Sequence, residues 1–220
     1  MSVVIGYVHP ASVSHSFMFS LLRVMEHDRK SCSRVAGLLP VRFRPAGIVA
    51  ARNQMAAAFL AGDGEWLWSV DTDMGFGPDA LEQLLAAADP VAQPVVGALC
   101  FGVRDDEDDG LGGFRARVFP TVFGWSERDG LFVEAGDAPM SGVVRVAGTG
   151  AACLLLHRSV LEQVRDGFGP VWFDTVMGGD GEPMGEDLSF CWRLMKLGIP
   201  AHVDVGVRTT HHKMIWIDGG

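Results

Sequence analysis

Short apolar runs alternate with segments of helical period through the first hundred residues, and this constrains the fold more than any other feature of the chain. "SVVIGYVHP" carries an apolar run from Val3 to Val8, stopped by a proline. A second strand is expected within Arg34–Phe43, a third in "EWLWSV" and a fourth in "QPVVGALC". Between them lie three helical stretches. "SVSHSFMFSLLRVMEHDR" places Phe17, Leu21, Val24 and Met25 on one face, with Ser12 or Ser14 as its cap. "GIVAARNQMAAAFLAGDG" is alanine-rich and closes on Gly62 and Gly64. "PDALEQLLAAADP" has Pro78 at or near its first turn and Leu81, Leu84 and Leu85 together. Such alternation predicts an α/β fold, a mostly parallel central sheet with helices on both faces.

The pattern changes after Phe101. "RDDEDDGLGG" is charged and glycine-rich, as a loop is, and "VFPTVFGW", "LFVEAG" and "GVVRVAG" suggest a smaller region of short strands, with a hairpin at "SERDG". "GTGAACLLLHRSVLEQV" returns to a strand and a helix. "GEDLSFCWRLMKLGIP" reads as a helix with Leu188, Cys191, Trp192 and Met195 along one side, and Ala201–Val205 as a last strand. With 220 residues, 48% of them hydrophobic, and no repeat or low-complexity linker, one domain spanning 1–220 is expected.

Several classes are excluded. The net charge of −9 offers no basic stripe to displace counterions, so no nucleic-acid partner is expected. Cys32, Cys100, Cys153 and Cys191 lie far apart with no C-x-x-C pair, which suits free thiols in a reducing compartment. "MSVVIGYVHPAS" lacks the basic and long apolar regions of a signal peptide, and no apolar run reaches the roughly 18–20 residues of a membrane span. A cytoplasmic location follows, with peripheral membrane contact left open. There is no G-x-G-x-x-G after the first strand, no G-x-x-x-x-G-K-[ST] and no G-x-S-x-G.

Three constellations could carry chemistry. Asp71 and Asp73 end the apolar run Trp66–Val70, followed by Gly75 and Gly77. Two acids one residue apart are common in a chain with 27 acidic residues, and Asp106–Asp108 repeats the spacing in what reads as a solvated loop. Position favours the first pair: ligands of open α/β sheets bind beyond the carboxyl ends of strands, where carboxylates can hold a hard cation against phosphate oxygens. Glu186 and Asp187 occupy the first turn of a helix, where acids suit the helix dipole. The glycine-rich "GGDGEPMGED" before them suits a mobile loop that closes on a ligand, and a carboxylate there could accept a proton from an alcohol. His211 and His212 follow the last strand, and opposite a carboxylate pair one imidazole would favour Mn²⁺ over Mg²⁺. His15, His27, His157 and His202 are expected to be structural; His9 is set apart by its place at the end of the first strand. The tryptophans are expected in the core, Trp125 and Trp172 excepted.

Together these residues resemble a family. "AARNQMAAAFLAGDGEWLWSVDTDMGFGPDALEQLL" is similar to the donor-site half of a family 2-type glycosyltransferase of the GT-A fold, Asp-x-Asp type. "VAGTGAACLLLHRSVLEQV" resembles the acceptor-side strand and helix of those enzymes, and "GEDLSFCWRLMKLGIPAHVDVGVRTTHH" their Glu-Asp helix and late metal-binding histidine. The resemblance implies a nucleotide-sugar-binding half over 1–100 and an acceptor-side half over 101–220. It implies that Asp71 contacts the ribose or the metal, that Asp73 ligates a divalent ion, Mn²⁺ before Mg²⁺, and that His211 completes the metal site, with His212 as the alternative. Arg52 and Asn53 would lie near the nucleotide diphosphate, and Val8, His9 and Pro10 near the base. Asp187 would be the catalytic base, with Glu186, Gly150 and Trp172 on the substrate. The implied activity is transfer of a sugar from a nucleotide-diphosphate sugar to a hydroxyl of a glycan, lipid or protein, with inversion. Arg104–Ser141 matches nothing in the family. A nucleotidyltransferase of related architecture should carry a glycine-rich basic loop where "YVHPASVSHS" stands, and a non-catalytic binding domain would tolerate loss of Asp187.

Overall fold

Trp66–Val70 is buried along its whole length, so both faces of its sheet are covered. The computed structural model describes residues 1–43, 47–108, 114–136 and 141–213. In chain order the elements are β1 (Val3–His9), α1 (His15–Ser31), β2 (Val35–Arg42), α2 (Gly47–Leu60), β3 (Trp66–Val70), β4 (Met74–Gly75), α3 (Ala80–Ala87), β5 (Val95–Leu99), β6 (Phe101–Asp108) and β7 (Phe114–Pro120). There follow β8 (Val122–Ser126), β9 (Leu131–Glu134), β10 (Val143–Val146), β11 (Gly148–Thr149), β12 (Cys153–His157), α4 (Arg158–Phe168), α5 (Glu186–Lys196), β13 (Ala201–Arg208) and β14 (Thr210–His211).

The central sheet has seven strands in the order β10-β13-β5-β12-β3-β1-β2. Strands β2, β1, β3, β5 and β13 run one way; β12 and β10 run the other. The mostly parallel α/β sheet expected from the alternation is therefore present. Its two faces follow the two-residue period of a strand. Trp66, Trp68 and Val70 pack with Phe17, Leu21 and Val24 of α1 and Leu81 and Leu84 of α3. Leu67 points the other way, among Met55 and Phe59 of α2, Val160 and Val164 of α4, and Phe190 and Leu194 of α5. A three-stranded sheet β11-β8-β9 and the ribbons β6–β7 and β4–β14 form the smaller β region. Ser14 caps α1 by accepting from the Phe17 N–H at 3.1 Å. Among the described residues no helix is long and apolar enough to cross a membrane.

Four local expectations are corrected. Arg104–Asp108 is strand rather than loop: its backbone pairs antiparallel with β7, Arg104 opposite Arg117 and Asp105 opposite Ala116. The pairing is made by the main chain, and Arg104 meets Glu134 at 2.9 Å. The rest of that run, 109–113, lies outside the described residues. The last strand continues to Arg208, three residues beyond Val205. Helix α5 buries Ser189, Phe190, Cys191, Arg193 and Leu194 rather than Leu188, Trp192 and Met195. Its polar residues turn inward because they hold the preceding loop: the Val176 N–H donates to Ser189 Oγ at 3.0 Å, and Arg193 Nη1 donates to the Asp174 carbonyl at 2.8 Å. That loop is also tied at its other end. The Gly178 N–H donates to the Glu182 carbonyl at 2.7 Å, and the Gly179 N–H to the Gly130 carbonyl in the β8–β9 turn at 3.2 Å. It is pinned to a neighbouring hairpin, not a free flap.

Candidate active site

Strands β1, β2 and β3 end at one rim of the sheet, and a cavity of about 430 Å³ opens there. Its walls are Val8 and Pro10 with Ser12–Ser14 after β1, Phe43 after β2, Ile48 at the start of α2, Asp71–Asp73 after β3, and His212. Thr72 is turned back into the protein, where its hydroxyl donates to the Val8 carbonyl at 3.3 Å, and its own carbonyl accepts from the Ser14 N–H at 2.9 Å. Those two bonds staple the β1 and β3 exits together and leave the flanking acids to the site.

Asp73 meets the C-terminal segment. Strand β14 pairs antiparallel with β4, His211 opposite Met74, and the His212 N–H donates to the Asp73 carbonyl at 2.8 Å. Gly75 is close-packed rather than a flexible link: a Cβ there would stand 2.5 Å from Thr210 Oγ1. The pairing brings His211 Nε2 to 3.0 Å from Asp73 Oδ2, and Lys213 Nζ reaches the same oxygen at 3.1 Å. Burial would raise the Asp73 carboxyl, but the hydrogen bonds from His211 and Lys213 hold it at about 2. The same bond to Asp73 raises His211 above its ordinary value. His211 Nδ1 lies 2.8 Å from the Phe101 carbonyl, which can only accept, so Nδ1 carries a proton. A neutral ring would then aim its Nε2 lone pair at a carboxylate. The contact requires a proton between the two atoms, consistent with the raised His211 pKa. An imidazole whose far nitrogen is anchored on a carbonyl is also the arrangement of a metal-ligating histidine.

Asp71 meets a different cation. Arg52, on the buried face of α2, has 2% of its side chain exposed. Its Nη2 lies 3.1 Å from both Asp71 oxygens, and its Nη1 donates to the Ala151 carbonyl at 3.3 Å. The same guanidinium stands 3.7 Å from Glu186 Oε1 and 3.6 Å from Asp187 Oδ1. Burial alone would lower the Arg52 pKa; Asp71, Asp187 and Glu186 together raise it. Burial raises Asp71, with Asp187 and Asp73 adding to it, against the pull of Arg52. Burial and the neighbouring Asp187 likewise raise Glu186. Two atoms of this cluster, Arg52 Nε and Asp187 Oδ1, are buried without a hydrogen-bond partner. Each instead faces an opposite charge beyond hydrogen-bond reach, Glu186 Oε1 for the first and Arg52 Nη2 for the second. Beside Asp187, Gly150 leaves room: a Cβ there would lie 3.7 Å from Asp187 Oδ2 and 3.1 Å from Thr121 Oγ1.

The structure thus joins the three constellations found in the sequence. Val8, Pro10, Asp71, Asp73 and His212 line the cavity. Arg52 links Asp71 to Glu186, Asp187 and, through Ala151, the Gly150 turn. Two expected residues serve elsewhere, and a third stands between two lining residues. His9 is absent from the lining, its Nδ1 lying 2.8 Å from the Pro10 carbonyl. Asn53 is spent on the scaffold: its amide donates to Asp174, and its carbonyl accepts from the Phe173 N–H at 2.9 Å. Trp172 is a core residue, 2% exposed, with its indole N–H donating to the Leu161 carbonyl at 2.8 Å, so it cannot be a substrate platform. The expected ligand trio of Asp71, Asp73 and His211 does not assemble either, because Arg52 occupies both oxygens of Asp71. Among the described residues no three His, Cys, Asp or Glu side chains converge as a metal site. The pair that remains to a divalent ion is Asp73 with His211, whose Oδ2 and Nε2 lie 3.0 Å apart. Lys213, Phe43 and Ile48 were missed; only Lys213 had a signal, its place directly after the two histidines.

No family model and no curated protein matches the sequence. Solved structures do. A197 from STIV aligns over 97% of this chain and 87% of its own, at 15% identity and a TM-score of 0.57. GalNAc-T7, solved with UDP, GalNAc and Mn²⁺, aligns over 96% of this chain but 43% of its own, at 10% identity and a TM-score of 0.59. CMP:2-keto-3-deoxy-manno-octonic acid synthetase, complexed with CTP, covers 92% of this chain and 89% of its own at 14% identity; its TM-score of 0.48 is too loose to argue from. At these identities the likeness establishes the fold alone, an α/β, GT-A-like one.

Proposed function

We propose that the chain is a metal-dependent glycosyltransferase that moves a sugar from a nucleotide-diphosphate sugar to a hydroxyl of a glycan, lipid or protein, with inversion at the anomeric carbon. The observation that carries this is the Arg52 bridge. It links Asp71, at the floor of a cavity sized for a nucleotide, to Asp187, whose carboxylate has a buried oxygen with no hydrogen-bond partner. The apolar walls Val8, Phe43 and Ile48 suit a base, and the acidic rim suits a cation-borne diphosphate. Asp73 and His211 would hold a Mn²⁺-like ion, which would offset the charge developing on the leaving diphosphate. Asp187 takes the proton of the acceptor hydroxyl as its oxygen bonds to the anomeric carbon and the bond to the diphosphate breaks. A single displacement of that kind inverts the carbon. Glu186, on the same turn of α5, contacts the acceptor. The four free cysteines support a reducing, cytoplasmic setting.

Replacement of Asp187 tests the assignment. Asp187→Asn should keep the thermal stabilisation that nucleotide-diphosphate sugars give with Mn²⁺, a mass-action effect of binding to the folded form. It should lose turnover by about 10²–10⁴-fold, the usual contribution of a positioned base. A variant that transfers sugar at the wild-type rate places the base elsewhere.

A further inference from the structure

The acidic pair after β3 is neutralised from within the protein, and its two cations differ in kind. Arg52 is buried and bound to the core; it has no freedom to leave Asp71. Lys213 has 45% of its side chain exposed, and its bond to Asp73 is its one hydrogen bond among the described residues. Its Nζ stands 3.1 Å from Asp73 Oδ2, the oxygen that also faces His211 Nε2 at 3.0 Å. An ammonium therefore occupies the same carboxylate oxygen that an ion held by Asp73 and His211 would need. It hangs on a flexible four-carbon stem at the edge of a cavity lined by Asp73 and His212.

We propose that Lys213 is the tethered cation of the donor site: it neutralises Asp73 in the free protein, is displaced by the incoming divalent ion, and then takes a phosphate oxygen of the nucleotide. This rests on the placement of the ion at Asp73 and His211 given above. Its consequence is thermodynamic. The ion alone must break the Lys213–Asp73 pair, so it binds weakly. With a diphosphate present the displaced ammonium gains a new partner, so ion and diphosphate strengthen one another, reciprocally, as linkage requires. An ammonium is a compact point charge well suited to either partner.

The test uses two probes, Mn²⁺ alone, followed by the electron paramagnetic resonance of the free ion, and inorganic pyrophosphate titrated calorimetrically at saturating Mn²⁺. The proteins are wild type, Lys213→Gln, Lys213→Arg and Asp73→Asn. Lys213→Gln should tighten Mn²⁺ alone and weaken pyrophosphate, each by about two- to fivefold, the scale of a partly exposed charge pair. Lys213→Arg should keep both near wild type. A residue with a merely structural role would move both affinities in one direction or neither, and that outcome overturns the proposal. If Asp73→Asn abolishes Mn²⁺ binding while Lys213→Gln fails to tighten it, the tethered cation is wrong and the metal site stands. If wild type itself binds no Mn²⁺ with or without pyrophosphate, the metal site fails and Lys213 has nothing to displace.

Discussion

Arg52 decides more than any other single residue. One guanidinium, 2% exposed, faces Asp71, Glu186 and Asp187 from three segments of chain. Removing one member of a buried ion cluster leaves the others uncompensated, so Arg52→Met should lower the stability measured by urea unfolding by roughly 3–5 kcal/mol. The loss should widen from about pH 4 to pH 7. With the guanidinium gone, burial keeps Asp71 and Glu186 above their unfolded values, and carboxyls raised in the fold lose their contribution as pH rises. A loss under about 1 kcal/mol, flat with pH, would show that the acids do not depend on Arg52. The sequence placed Arg52 near a diphosphate but could not show that its charge is already taken by three carboxylates, since those lie 19, 134 and 135 positions along the chain from it. Trp172 and Asn53 failed for the same reason. A tryptophan in a loop and an asparagine beside an arginine look available in one dimension; their partners, the Leu161 carbonyl and Asp174, are fixed only by packing.

Among the elements, α4 shows how strand, cap and helix are joined by one side chain. His157 ends β12 and caps α4, its Nδ1 accepting from the Ser159 N–H. Burial holds its pKa below the ordinary value, against the pull of Glu65. Between its folded pKa and about 6.5 the unfolded chain binds the proton more readily, so stability falls as pH falls through that window. His202 is shifted the same way by burial and His211 the opposite way, so the slope of the wild type alone does not isolate His157. The difference from a variant does. His157→Asn keeps a capping acceptor without titrating, so its thermal midpoint should stand close to wild type at pH 8 and gain on it steadily toward pH 5. Equal pH profiles would remove His157 from the acid response. The elements themselves were largely legible, because both periods, of two and of 3.6, are written in the positions of the apolar residues. The β6–β7 ribbon was not: backbone pairing leaves no apolar signature when the side chains are Arg104, Asp105 and Asp106.

Across the whole molecule, the site exists because the two halves of the chain share one sheet. β12 and β13, from the second half, flank β5, from the first, with β12 wedged between β5 and β3. That interleaving sets the Gly150 turn and the α5 N-terminus against Arg52, while β14 carries His211 back to Asp73. The order of the motifs along the chain already indicated which constellations belonged together. It could not indicate that the two aspartates of the Asp-x-Asp element would answer to different cations. The claim on which the rest depends is that Asp73 holds an ion that holds the diphosphate. Titration calorimetry of a nucleotide-diphosphate sugar into wild type and Asp73→Ala, with and without Mn²⁺, tests it most directly. Binding should need Mn²⁺ in the wild type and disappear in Asp73→Ala, whereas Mn²⁺-dependent binding of equal strength in both proteins would contradict it.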